Sequence, residues 1–210
     1  MQVSATRKKG NKALWWGAWT GSFVSFIIGG GVAWIIAGPV LDPVSGLLAG
    51  SVAGVMIAAA QWLALQAYPQ PAAGSKATRA SMTGLATKWA AATAVGLSIG
   101  VAAGAALVDY RTGVADLAAM GFVTGTSVGA LQAWALKDRV RASWRWLMLS
   151  PPLWAASWLI TLAIGIDVSL HWAVFGASGA LFYTVVTGVA LRFLLGAPDT
   201  VANSPGDSGR

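Results

Sequence analysis

Few residues in this chain have the types needed for chemistry, and fewer have the spacing. Asp167, Ser169 and His171 come nearest to an acid, a hydroxyl and a base in one place. Nucleophilic catalysis requires a base within hydrogen-bond reach of the nucleophile and a third group orienting the base. This spacing does not supply that arrangement. If helix extends that far, Asp167 and His171 are one turn apart and could pair. A histidine contact of that kind would respond to pH near neutrality. A helix cap or a water contact is the preferred reading of this single histidine. The chain has no cysteine and no glutamate, so thiolate chemistry is excluded and metal ligands are scarce. No catalytic residue and no metal ligand is assigned, and the protein is expected not to be an enzyme. No motif names a cofactor.

Two further groups of residues could hold a ligand rather than transform one. Gln61 and Gln132 sit in apolar surroundings about one turn from the end of their runs, and Thr187 occupies the corresponding place in a third run. A buried amide seeks a partner across a helix bundle, worth about 0.6–2 kcal/mol in membranes. Structural glue is the preferred reading, with a ligand contact as the other. Trp154 and Trp158 are one helical turn apart after Pro151 and Pro152. A flat apolar ligand such as a quinone, carotenoid or sterol-like lipid could stack in a cleft there, although core packing explains the pair more simply.

The elements that would position these residues follow from composition. Hydrophobic residues make up 56% of the chain and charged residues only 10%, against about 25% charged in soluble domains. So much apolar surface must go into lipid. Crossing about 30 Å of hydrocarbon takes roughly 20 apolar residues in a helix. Six stretches qualify: Leu14–Ala37, Val44–Gln66, Ala86–Val108, Ala115–Leu136, Trp146–Ile166 and Trp172–Leu195. The first is too long for a signal-peptide core and reads as a retained helix. The fifth must begin at, or kink around, its proline pair.

The expected fold class is therefore an all-α membrane protein whose six transmembrane helices form three tandem helical hairpins. Residues 1–13 make a basic N-terminal segment and 14–66 the first hairpin. A linker covers 67–85, the second hairpin 86–136, a basic loop 137–145 and the third hairpin 146–195. Residues 196–210, rich in Ser, Pro, Gly and Asp, read as a disordered tail.

Thirteen of the fourteen Lys and Arg residues fall on one side of this arrangement, and only Arg111 falls opposite. The positive-inside rule makes the basic side cytoplasmic, with both termini there and the bilayer a cell inner (plasma) membrane. The net charge of +7 does not indicate nucleic acid, because the basic residues sit in short tracts beside apolar spans. Those tracts would favour anionic lipid at the cytoplasmic face. Twelve tryptophans mostly map to the span ends, where amphipathic indoles form belts: Trp15, Trp16, Trp19, Trp62, Trp89, Trp134, Trp144 and Trp146 on the basic side, Trp34 and Trp172 on the other.

The even spans share a pattern. Gly50, Gly54, Gln61 and Ala64-Leu65-Gln66 in the second correspond to Gly121, Gly125, Gln132 and Ala135-Leu136-Lys137 in the fourth. Gly176, Ala180, Thr187 and Ala190-Leu191-Arg192 follow in the sixth. The spacing suggests three copies of a hairpin unit. In Gln61-Trp62-Leu63-Ala64-Leu65 after Gly50 and Gly54, the chain resembles a loose group of uncharacterised bacterial multi-pass proteins with repeated G-x-x-x-G and Q-W-L-x-L hairpins. The second copy departs from that exit as Gln132-Ala133-Trp134-Ala135-Leu136, and the third lacks both Gln and Trp. The resemblance implies architecture and no activity.

Lipid gives helices no hydrophobic reason to associate, so small residues that let backbones touch are the expected contacts. Gly50 and Gly54, Gly96 and Gly100, Gly121 and Gly125, and Gly176 with Ala180 are assigned to helix packing, inside the bundle or against a protein partner or second copy. No Asp, Lys or Arg falls in the middle of a span, which argues against coupled transport through an embedded carboxylate. The leading expectation is a non-enzymatic scaffold or accessory subunit that binds a partner protein, lipid or apolar cofactor. The alternative is a carrier for an uncharged or lipophilic solute, with Gln61, Gln132 and Thr187 lining a central cavity.

Overall fold

A computed structural model describes residues 3–68, 76–140 and 142–196. Seven helices are defined: α1 Val3–Gly21, α2 Phe23–Ala37, α3 Pro43–Gln66, α4 Lys76–Leu107, α5 Val114–Leu136, α6 Trp144–Ala163 and α7 Ala177–Gly196. Among the described residues, six stretches are long and apolar enough to cross a membrane, the first of them running from Lys12 through α1 and α2 to Ala37. The protein is an all-helical, multi-pass membrane bundle of three successive hairpins. Side chains on its outer surface are apolar, including the exposed Ile28, Ile35, Val55, Ile99 and Phe122, as lipid contact demands.

Local sequence accounts for the turns. Gly38, with φ +72°, ends α2, and its N–H returns to Trp34 O. Asp42 then caps α3: its carboxylate accepts from Val44 N and Ser45 N, Ser45 Oγ accepts from the Asp42 N–H, and Pro43 fills the first helical position. These backbone and side-chain bonds from Ser45, followed by that from Val44, hold the Asp42 carboxyl below the usual carboxylate range.

Five boundaries differ from expectation. The first span breaks between α1 and α2 at the Gly21-Ser22 pair. Ser22 Oγ donates to Trp19 O and Ser25 Oγ to Ser22 O, both at 2.6 Å, competing with the helical ladder. Helix α4 begins at Lys76, inside the expected linker. Helix α6 starts at Trp144 and continues through Pro151 and Pro152. Two glycines accommodate that passage: Cβ atoms on Gly125 would stand 2.7 Å from Ser150 O and 2.8 Å from Pro151 Cα, and on Gly129 2.5 Å from Ser150 Cβ. The sixth span loses its N-terminal end, since α7 starts at Ala177 and not at Trp172. Asp167 and His171 consequently share no helix. The former accepts from Ser169 N at 2.9 Å, the latter has φ +53°, and no ion pair joins them. That Ser169 contact lowers the Asp167 carboxyl below its ordinary range. The expected N-terminal segment 1–13 enters α1 from Val3, and the disordered-tail reading of 197–210 lies outside the described residues.

Successive spans are neighbours, and α7 packs against both α1 and α2, closing the six spans into a ring. Two buried clusters fill it. The cluster at the basic end is built around Trp15, Trp19, Trp89 and Trp146. In the other half, Phe26, Trp154, Trp158, Phe175 and Tyr183 pack with Ala and Val from α3 and α4.

Candidate functional site

The polar positions in α3, α5 and α7 are buried: Gln61 is 1% exposed, Gln132 0% and Thr187 1%. Each accepts a hydrogen bond from an indole on the helix that follows it around the ring. Trp89 Nε1 on α4 donates to Gln61 Oε1 at 2.9 Å, Trp146 Nε1 on α6 to Gln132 Oε1 at 2.8 Å, and Trp19 Nε1 on α1 to Thr187 Oγ1 at 3.3 Å. Gln132 Nε2 also donates to Thr93 Oγ1 at 2.8 Å, and Thr93 Oγ1 donates to Trp89 O at 2.9 Å. Thr187 Oγ1 donates onward to Tyr183 O at 2.7 Å.

Burial corrects the aromatic-belt reading for four tryptophans, three of which make these bonds. Trp15, Trp19, Trp89 and Trp146 lie at the expected depth but face inward, at 0–1% exposure. Their rings interlock at centroid distances of 6.0 Å for Trp19–Trp89 and 5.1 Å for Trp89–Trp146. Depth is readable from sequence because the indole lies near a span end. Direction is not, because belt and core residues occupy the same heights. Trp134 and Trp144, more than half exposed, keep the belt position.

Glycines set the distances between helices. A Cβ on Gly50 would stand 2.7 Å from Leu97 O and on Gly54 2.9 Å from Ala94 Cα, so α3 and α4 touch backbone to backbone. Gly96 and Gly100 bring α4 within similar reach of Val128 and Thr124 on α5, at 2.8 Å each. Gly121 faces Trp158 and Ala155 of α6. Ala180 is fully buried. Gly176, assigned from sequence to helix packing, precedes α7. A side chain there would strike Ile166 and Thr161 of the loop and α6, and Gly179 is the α7 residue that abuts Ser157 O.

The segment 164–176 between α6 and α7 is irregular chain that nonetheless packs inward. Ala173, Val174 and Phe175 are buried at 4%, 4% and 1%. Irregular backbone at such a place requires internal hydrogen-bond partners. Gly176 N donates to Thr161 Oγ1, Val40 N to His171 O, and the Trp34 and Trp172 indoles to Leu170 O and Asp167 O. Phe175 stacks on Phe26 at 5.2 Å and meets Trp154 and Trp158 edge-on at 4.9 and 6.1 Å.

Replacing helix by loop leaves space beside α2. A cavity of about 550 Å³ lies among Phe26, Gly30 and Gly31 of α2, Trp158 of α6, and Val174 and Phe175 of the loop. Its volume falls within the range of small-molecule sites, about 300–1,000 Å³, and its walls are mostly apolar. Trp158 Nε1 is buried and has no hydrogen-bond partner. Of the tryptophan pair expected at a cleft, Trp158 lines this cavity. Trp154 does not: it is held in the core by Phe26, Phe175 and Tyr183. Gly30 and Gly31 gave no signal, since nothing in the α2 sequence distinguishes a cavity wall from a packing face.

Comparison of the chain with protein-family models, with curated proteins and with solved structures returns no match.

Proposed function

We propose that this protein is a non-enzymatic membrane scaffold or accessory subunit that holds an apolar ligand, a lipid or lipophilic cofactor, in the cavity between α2 and the 164–176 loop. The observation that carries this reading is the cavity of about 550 Å³ walled by Phe26, Gly30, Gly31, Trp158 and Phe175. Its walls are mostly apolar, as a lipid chain or a lipophilic ring requires. The chain is read as a threefold repeat of a hairpin with small-residue packing. In support, Gln61, Gln132 and Thr187 receive indole bonds in the same sense around the ring. Those bonds occupy the polar groups that a central solute path would need, which favours the scaffold over the carrier. The proposed setting is the plasma membrane, with the basic ends of the helices in the cytoplasm.

The test is native mass spectrometry of the mildly solubilised protein, with an absorption spectrum from the same fractions. Gly31→Phe is the paired variant, because a Cβ on Gly31 meets nothing within 4 Å and the ring can enter the cavity without displacing backbone. The expected result is a reproducible apolar adduct on the wild type that Gly31→Phe loses while staying folded. A wild-type monomer free of any bound species overturns the reading.

A further inference from the structure

A second groove lies on the lipid-facing surface between α4 and α5, at the basic end. Its origin is the glycine run of α4. At Gly96, Gly100 and Gly104, Cβ atoms would come within 2.7–2.8 Å of α5 backbone, so the two helices touch there. The run stops short of Ala92. From that point the helices leave a groove of about 350 Å³ between Ala91, Ala92 and Val95 on α4 and Leu131 and Trp134 on α5, closed at its end by Thr87 and Lys88. The walls are almost wholly apolar over the stretch that faces hydrocarbon.

The mouth is cationic. Lys88 Nζ and Lys137 Nζ stand 5.8 and 5.4 Å from the centroid of the Trp134 ring, which is 54% exposed. One acid is also present: Asp138 accepts from Lys88 at 2.9 Å, and that contact lowers its carboxyl below the ordinary range. Two lysines against one aspartate leave the mouth positive, with Arg139 on the next residue turned toward Met82 Sδ. An apolar trough ending at an amphipathic indole and paired ammonium groups matches an acyl chain ending at an interfacial phosphate. Basic recesses between helices at this depth take anionic headgroups.

We infer that the α4–α5 groove binds one anionic glycerophospholipid, with an acyl chain along Ala91, Val95 and Leu131 and its phosphate held by Lys88 and Lys137. The lipid phosphate competes with Asp138 for Lys88, so the site prefers lipid with a net negative head over zwitterionic lipid. This groove and the cavity beside α2 share no residue, and each can fail without the other.

The experiment is lipid titration of the delipidated protein by native mass spectrometry, with phosphatidylglycerol and phosphatidylcholine of matched chains as probes. Wild type is expected to retain phosphatidylglycerol preferentially. Lys88→Gln/Lys137→Gln should bind it about thirtyfold more weakly, from about fivefold for each lysine removed near the surface. Asp138→Asn should bind it more tightly, and Gly31→Phe should bind it like wild type. Equal retention of the two lipids, unchanged binding by the double lysine variant, or occupation of the groove by a protein segment that excludes lipid overturns the inference.

Discussion

One methyl group added at Gly125 tests how tightly α5 and α6 are held. The Cβ would stand 2.7 Å from Ser150 O, 2.8 Å from Pro151 Cα and 2.8 Å from Trp154 Cβ, where ordinary contact begins at 3.4 Å. Two of those atoms are backbone at a proline-bearing segment and cannot swing aside, so the helices must separate. Overpacking of this kind costs about 1–3 kcal/mol. Replacing glycine by alanine inside a helix returns up to about 1 kcal/mol. The net expectation for Gly125→Ala is a loss of about 1–2 kcal/mol. Gly17→Ala is the matched control, because a Cβ there meets nothing within 4 Å. Only the propensity gain applies, so that variant should be neutral or up to about 1 kcal/mol more stable. The assay is reversible unfolding in mixed micelles with rising SDS mole fraction, followed by tryptophan fluorescence. Equal stability of the two variants, or a more stable Gly125→Ala, would refute the argument from backbone contact.

The indole bonds predict a ranking in the same assay. Gln132→Leu removes bonds to both Trp146 and Thr93, each 2.8 Å long, and should cost about 1–2 kcal/mol. Gln61→Leu should cost less and Thr187→Val least, because the Trp19 bond is the longest at 3.3 Å; the reverse order would sink the idea. Orientation is measurable because the chain has no cysteine of its own. Ser169→Cys should react with a membrane-impermeant maleimide in intact cells and Arg139→Cys only after permeabilisation; the opposite pattern inverts the topology.

The spans were legible in sequence because hydropathy over twenty residues reports one strong preference, lipid over water. A Cβ added at Gly50, Gly54, Gly96 or Gly125 would come within 3 Å of a neighbouring helix, and small residues are what lets helix backbones approach in lipid. The loop at 164–176 was not legible. Trp172–Gly176 is as apolar as any helix, and its irregular path is decided by Phe175 finding Phe26, Trp154 and Trp158 and by Thr161 receiving Gly176 N. These are contacts between distant parts of the chain, which periodicity does not carry. The same limit hid the cavity, which exists because that loop is not a helix. Gln61 and Gln132 stood out as buried amides, but their indole partners were read as belt residues, since both roles place tryptophan at the same height.

The Trp19–Thr187 bond, with Gly188 set against Trp16 and Trp19, has a consequence for biosynthesis. A chain inserted into the bilayer from its N-terminus presents α1 first and α7 last of the spans described. The α3–α4 and α5–α6 contacts can form as soon as each pair has emerged, but the Trp19 N–H has no acceptor on Thr187 until α7 arrives. Through most of synthesis the nascent bundle is an open crescent, with Trp19 at one rim. Helix α7 acts as the closing stave of a barrel, and a ribosome stalled before it would leave the α2 and α6 faces that α7 covers open to lipid.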